Sequence, residues 1–559
     1  MKNAGKPLAN RWQTTENTKD QINGISQATA RPHTMKKYNL LKITCWKLLL
    51  LTLTLTGCAA IDTGKSGKSA AAPALTVQFE SAGESYKWLN RLTWGATSSV
   101  VDKSAHTGFD AYLAQQLYPL VAKLPEAINT QIQAMTISQR PFVSLIQDME
   151  QRRKSADVLT NDDEKRAAQQ SYQQEMTRLG REAAARHIFR ALYSSNQIQE
   201  QMTWFWLNHF SVYQYKSNLR SMLSDYEDVA IRPRALEKFS DLLKAVALHP
   251  VMLRYLDNEQ NAVGRINENY ARELMELHTL GVGTGYSQHD VQELARVWTG
   301  VGVNLQIGNP PVKAALQNYY VRRGLFEFNP ARHDFGDKQL LGQPLRAKGL
   351  AEVEEALDRL ARHPATAAFI SQKLAQYWLS DDPPKALVAR MSQTFQRTDG
   401  HIAETLKTLL TSPEFRQGAG RKFKDPMRYV ISAVRLTYDD KTILNTGPIL
   451  NWLNRMGEPL YGRQTPDGYP LHESAWASPG QMTTRFEIAK AIGSGNAGLF
   501  KSEGPQPVER AAFPQLSNAL YYQSIARTLS DGTRKALDQA TSPQEWNTFL
   551  LSSPEMMTR

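Results

Sequence analysis

The chain has 559 residues, 41% of them hydrophobic and 21% charged, a balance that suits a globular protein with a substantial buried core. Its formal charge of +12 would suit a polyanion partner, but residues 1–58 hold nine Lys or Arg against two acids and so supply +7 of it. A basic excess concentrated in a removable signal argues against a nucleic-acid partner.

That signal begins at Met35, where the chain reads "MKKYNLLKITCWKLLLLTLTLTGC". The apolar run Leu48 to Leu55 is far shorter than the roughly 20 residues of a spanning helix, but a secretory h-region needs only about 7–15. "LTGC" resembles the bacterial lipobox, which makes Cys58 the lipid-bearing first residue of the mature protein and implies a membrane held through that lipid. Ala59 in place of an aspartate points, by resemblance to lipoprotein sorting rules, to the outer membrane, facing periplasm or surface. Met35 is a better start for such a signal than Met1, so residues 1–34 are read as a misassigned extension and 35–58 as the signal. Cys45 lies inside it, which leaves the mature chain without disulfides, thiolate metal sites or a cysteine nucleophile. Residues 59–80 are small and polar and read as a flexible tether. The remainder, 81–559, is expected to form a single large helical domain.

From Glu80 onward apolar residues recur at three- and four-residue steps in "FDAYLAQQLYPLV", "DLLKAVALHPVMLRYL", "EVEEALDRLARHPATAAFISQKLAQYWL" and "IAETLKTLLTSPEFR". The fold class this predicts is mainly α, a large multi-helix bundle. His249-Pro250, His363-Pro364, Ser412-Pro413 and Ser553-Pro554 each mark one helix ending and another beginning with proline at its first position. Asn318 to Leu345 alternates and is aromatic, which predicts a small β-hairpin. Gly457 to Gly480 has the composition of a long ordered loop.

The densest chemistry lies in "NENYARELMELHTLGVGTGYSQHDVQELARVWTG", Asn267 to Gly300. A helix from Asn269 to Leu280 would place Glu268, Arg272 and Glu276 on one face, bury Leu274, Met275, Leu277 and Leu280, and stop at Gly281. Ser287 and Asp290 have capping-box spacing for a second helix with Val291, Leu294, Val297 and Trp298 as its apolar stripe. Glu273 and Glu276 could converge on a ligand, although His278 is not at the i, i+3 spacing of a Glu-x-x-His metal site. The same residues read more readily as a charged helical hairpin held by ion pairs. Asn208 and His209 in "MTWFWLNHF" are either core or the wall of a polar pocket, and His333 and Asp334 in "ARHDFG" either a ligand pair or a structural turn. Gly67-Lys68-Ser69 lacks the glycine of a phosphate loop, since that position is Asp62, and "GSGNAG" follows a helix rather than a strand, so no nucleotide cofactor is expected. The nucleophile elbow and the zinc-protease motif are absent from the sequence.

The blocks "RLTWGAT", "WFWLNHF", "LLKAVALHPVMLRYLDN", "NENYARELMELHTLGV", "YSQHDVQELARVWTG", "FNPARHDFGDKQLLG", "TDGHIAETLKTLLTSPEF", "KFKDPMRYVISAVR" and "PDGYPLHESAWASPG" occur in order and resemble the bacterial family called domain of unknown function 1800, over about Tyr86 to Leu499. The resemblance implies an exported protein encoded beside members of domain of unknown function 1501, an exported family similar to the alkaline phosphatase and sulfatase fold. Two functions stay open. One is an envelope lipoprotein that acts as scaffold or partner for that phosphatase- or sulfatase-like companion on surface polymers. The other is a hydrolase or metal-dependent enzyme. Its catalytic candidates are Glu273, Glu276, His278, His333 and Asp334, its substrate-binding candidates Asn208, His209, Asn267, Asn269 and Arg272, and a divalent metal its open cofactor.

Overall fold

The three- and four-residue recurrence becomes one buried side on each helix. Helix Leu350–Arg362 buries Leu350, Val353, Ala356, Leu357 and Leu360, and helix Phe239–Ala247 buries Phe239, Leu242, Leu243 and Val246. The computed structural model describes residues 81–439, 441–501 and 513–559, all within one compact unit. Cys58, the signal and the tether lie outside the described residues. The chain is predominantly α-helical, and most of its buried apolar side chains form one continuous core. Two smaller clusters, one around Met149 and Met176 and one around Ile132 and Phe189, lean on the 32-residue helix Asp162–Tyr193.

The proline junctions fall where expected. Helices begin at Pro250, Pro364, Pro413 and Pro554. At the first two the cap is a histidine ring: His249 Nδ1 accepts from Val251 N–H and His363 Nδ1 from Ala365 N–H, each at 3.2 Å. An imidazole nitrogen replaces the usual hydroxyl or carboxylate oxygen at this position. Because Nδ1 of His249 accepts, its Nε2 carries the proton and donates to Asp225 at 3.0 Å.

The β content is small. Strands β1 (Val301–Val303), β2 (Val321–Arg323) and β3 (Phe326–Phe328) form an antiparallel sheet of order β1-β3-β2, with Val301 opposite Phe328 and Val321 opposite Phe328. β4 (Gln339–Leu340) and β5 (Gln343–Pro344) form a separate hairpin whose turn residues Leu341 and Gly342 both have positive φ. Asp290 Oδ1 accepts the Leu341 N–H at 2.7 Å, tying this turn to the helix that Asp290 itself caps. The hairpin expected within 318–345 is thus two short pairings, with β1 contributed from outside that range.

One element departs from expectation in a consequential way. The helix from Asn269 stays α only to Glu273, and Leu274–Thr279 opens into a π turn. Leu280 N–H bonds Met275 O at 2.8 Å, and the Thr279 hydroxyl takes the Leu274 carbonyl at 2.8 Å. The wider turn leaves Leu277 half-buried, not in the core, and swings His278 to the buried side.

Several arginines point inward. Arg91, Arg428, Arg485 and Arg559 are 0–3% exposed, with guanidinium carbons 3.6 Å from the Phe415 ring centroid, 5.2 Å from Trp94, 4.7 Å from Phe423 and 4.9 Å from Tyr377. Ring faces and main-chain oxygens, such as Lys424 O at 2.7 Å from Arg485, take the place of water around these cations.

Candidate functional site

The ion pairs of the Asn267–Gly300 hairpin form as its spacing predicts. Arg272 lies 3.2 Å from Glu268 and 3.4 Å from Glu276, and Gln288 of the second helix bonds both Arg272, at 2.8 Å, and Glu268, at 2.7 Å. Ser287 and Asp290 make the full capping box. Asn267 and Asn269 face main chain: Asn267 Nδ2 donates to Asp257 O at 3.3 Å, and Asn269 Nδ2 to Leu256 O at 3.2 Å. Asn208 clamps the long Gly457–Gly480 loop, donating to Tyr469 O at 3.0 Å and accepting Tyr469 N–H at 2.5 Å. The contact is so close that a Cβ on Gly468, whose φ is +78°, would lie 2.2 Å from Asn208 O.

His333 and Asp334 sit apart from these in function. The His333 ring is fully enclosed, with Nδ1 2.8 Å from Thr299 O and Nε2 3.2 Å from Glu352, which also takes Lys338 at 2.9 Å. Asp334 pairs with Arg296 at 2.8 Å and accepts Gly336 N–H at 2.8 Å.

His209 and His278 are brought together. His209 Nε2 donates to His278 O at 3.1 Å, and the ring centroids are 6.1 Å apart. Burial, then the charge of Lys373, pushes His278 down to about 3, and burial lowers His209 far below its usual value, so both rings are neutral. Lys373, one lysine on the otherwise largely apolar helix Pro364–Trp378, is half-buried with its ammonium 5.5 Å from the Phe369 ring centroid. It makes no ion pair or hydrogen bond among the described residues, and burial brings it down to about 8, against a weaker opposing pull from Asp467. Glu273 is likewise unpaired, and burial followed by the neighbouring Glu276 raises it. Asp467, on the clamped loop, is within electrostatic reach of both; burial pushes it up, but Arg463 at 2.8 Å and Thr465 at 2.5 Å outweigh that and leave it low. Burial thus raises one acid, Glu273, and lowers one amine, Lys373, and each feels Asp467. Glu273, His278 and His209 were legible in the sequence. Lys373 and Asp467 were not, because nothing local says that helix and loop meet there.

Lys373 also gives a stability test. Its folded-state pKa of about 8 lies below the ordinary 10.5, so its favourable contribution is complete above 10.5 and is lost as pH falls through 8. Lys373→Met is expected to raise the unfolding free energy at pH 7 by roughly 1–3 kcal/mol, with the gain shrinking between pH 8 and 10.5. Denaturant titrations across that range check it, and a pH-independent difference would contradict it.

A second polar centre had no expectation at all. Helices Asp162–Tyr193 and Gln197–His209 and the π turn Tyr226–Ile231 bury an ion network around Arg232, which contacts Glu200, Glu227 and Asp228. Arg186 and Arg190 close on Asp228, while His187, at 3.0 Å, and Tyr461 close on Glu227. Burial pushes both carboxyls up. For Glu227 the cation-like contacts win and hold it low, whereas Asp228 remains raised. The signal present in the sequence was the i, i+4 pair Asp228 and Arg232.

Among the described residues no three His, Cys, Asp or Glu side chains are gathered as ligands around one point. The fold and these centres define a helical domain in which a subset of charged side chains, those around Arg232 and Glu352 among them, is buried and paired. The chain belongs to the family described as protein of unknown function (DUF1800), whose model matches residues 87–558. No curated protein and no solved structure matches it. The match runs past the Leu499 boundary of the resemblance and takes in the C-terminal helices. In the structure this C-terminal segment packs back on the body, where Lys424 N–H bonds Met557 O at 2.8 Å and the Arg559 side chain reaches Tyr377 O.

Proposed function

We propose that the protein is a cell-envelope lipoprotein, anchored through Cys58, whose helical body is a scaffold or partner for an exported phosphatase- or sulfatase-like protein acting on surface polymers. The observation that carries this reading is where the chemistry-bearing residues go. Glu276, Asp334 and His333 are each engaged by Arg272, Arg296 and the Glu352–Lys338 pair, and Asn208 holds a loop. Such contacts build a rigid body with a defined surface. Among the described residues no helix is long and apolar enough to cross a membrane, so in this reading attachment rests on the lipid.

The unpaired Glu273 and Lys373 favour a second reading, an enzyme in which they act as acid and base. Two measurements test the first proposal. Cys58→Ala should move the protein from the membrane to the soluble fraction, and cross-linking in cells should join the wild-type body to an exported phosphatase-like protein. Continued membrane attachment of Cys58→Ala refutes the anchor, and a body that cross-links to no exported protein refutes the partner role.

A further inference from the structure

Beside the Arg232 network lies a cleft of about 360 Å³, within the ~300–1,000 Å³ of ordinary ligand sites. Its polar wall is Gln133, Arg140, Arg186, Arg190, Asp225 and Asp228, and its apolar wall is Ile132, Phe142, Leu145 and Val229. Asp225 and Asp228 stand at either side of the start of the π turn, a helical irregularity frequent at functional sites.

Three features of the cleft narrow what it can hold. The first is charge. Arg140 pairs with Asp148 at 3.1 Å, Arg186 and Arg190 pair with Asp228, and Asp225 accepts from His249. The cations are matched by carboxylates, so an incoming anion would have to displace one that is already held. The second is the mixture of donors and acceptors. Arg190 bonds its carboxylate partner through Nη1 only, which leaves further N–H donors, and Asp225 and Asp228 have lone pairs beyond the bonds they accept. The third is rigidity. Asp228 is gripped by Arg186, Arg190 and Arg232, so its oxygens are fixed in place before any ligand arrives.

A ligand that is uncharged, offers hydroxyls that both donate and accept, and has an apolar face to lie on Phe142 and Leu145 satisfies all three. We propose that this cleft binds a neutral saccharide, with ring hydroxyls on Arg190, Asp225 and Asp228 and the C–H face of the ring on Phe142. This assignment stands apart from the lipid anchor, the protein partner, Glu273 and Lys373, and its failure would leave those untouched.

The test is calorimetric titration of the purified protein with maltotetraose, cellotetraose and tetra-N-acetylchitotetraose, with glucuronate and sulfate as charged comparators. At least one neutral saccharide should bind with a Kd of ~1 mM or tighter. Val229 is 55% exposed at the cleft, so Val229→Trp should block the cleft without disturbing the network behind it. It is expected to weaken that binding at least ~10-fold with the melting temperature unchanged, and Gln133→Ala, at an exposed position on the same wall, should weaken it ~3-fold or more. Absence of binding by all three neutral saccharides, binding of the anions alone, or a folded Val229→Trp protein that binds as wild type would each overturn the assignment.

Discussion

Arg232→Met should cost ~3–5 kcal/mol of unfolding free energy in a urea titration, the largest effect expected of any single charge removal here. The reason is the company Arg232 keeps. Its guanidinium meets Glu200, Glu227 and Asp228, of which Glu200 is 2% and Glu227 3% exposed. Methionine fills much of the same space but leaves Glu200 with no cation and Glu227 with only His187 and Tyr461. Glu227 would then lose a contact that opposes its own burial, while His187 and Tyr461 remain to hold its carboxyl low. Arg232→Lys keeps the charge but cannot fork to three carboxylates, so an intermediate loss is expected. A loss below ~1 kcal/mol for Arg232→Met would mean that water reaches the network in solution.

The second large effect belongs to His333. Removing its ring by His333→Ala opens a cavity between the Gly300 turn and Glu352 and leaves a fully enclosed carboxylate with Lys338 as its remaining side-chain partner. Cavity and lost hydrogen bonds together should cost about 3 kcal/mol or more. The Gly300 turn beside the ring admits only glycine, since its φ is +77° and a Cβ there would lie 2.6 Å from Asn329 O. By contrast Glu276→Gln touches a half-exposed i, i+4 pair and should cost no more than ~0.5 kcal/mol.

What the sequence discloses and what it withholds follow one physical division. Features set by neighbours along the chain were readable: helix faces, proline junctions, the Ser287–Asp290 capping box, the Arg272 ion pairs and the Gly281 stop. The π turn was not, because its bonds depend on Thr279 competing for the Leu274 carbonyl and on packing that draws His278 inward against Phe210, 5.1 Å between ring centroids. Long-range partners were also hidden. Lys373 meets His278 across about a hundred residues, and Arg190 meets Asp228 across 38. His333 reads as a loop ligand pair with Asp334 until the partners of each are seen, and these point in separate directions.

The acids and histidines standing out in this sequence chiefly hold the fold, with the unpaired Glu273 the exception. The most direct measurement is the unfolding free energy of His333→Ala beside that of Glu276→Gln at pH 7. A loss of about 3 kcal/mol or more is expected for the first and at most ~0.5 kcal/mol for the second. A His333→Ala protein as stable as wild type would contradict it, and would return His333 to the residues whose role is chemistry.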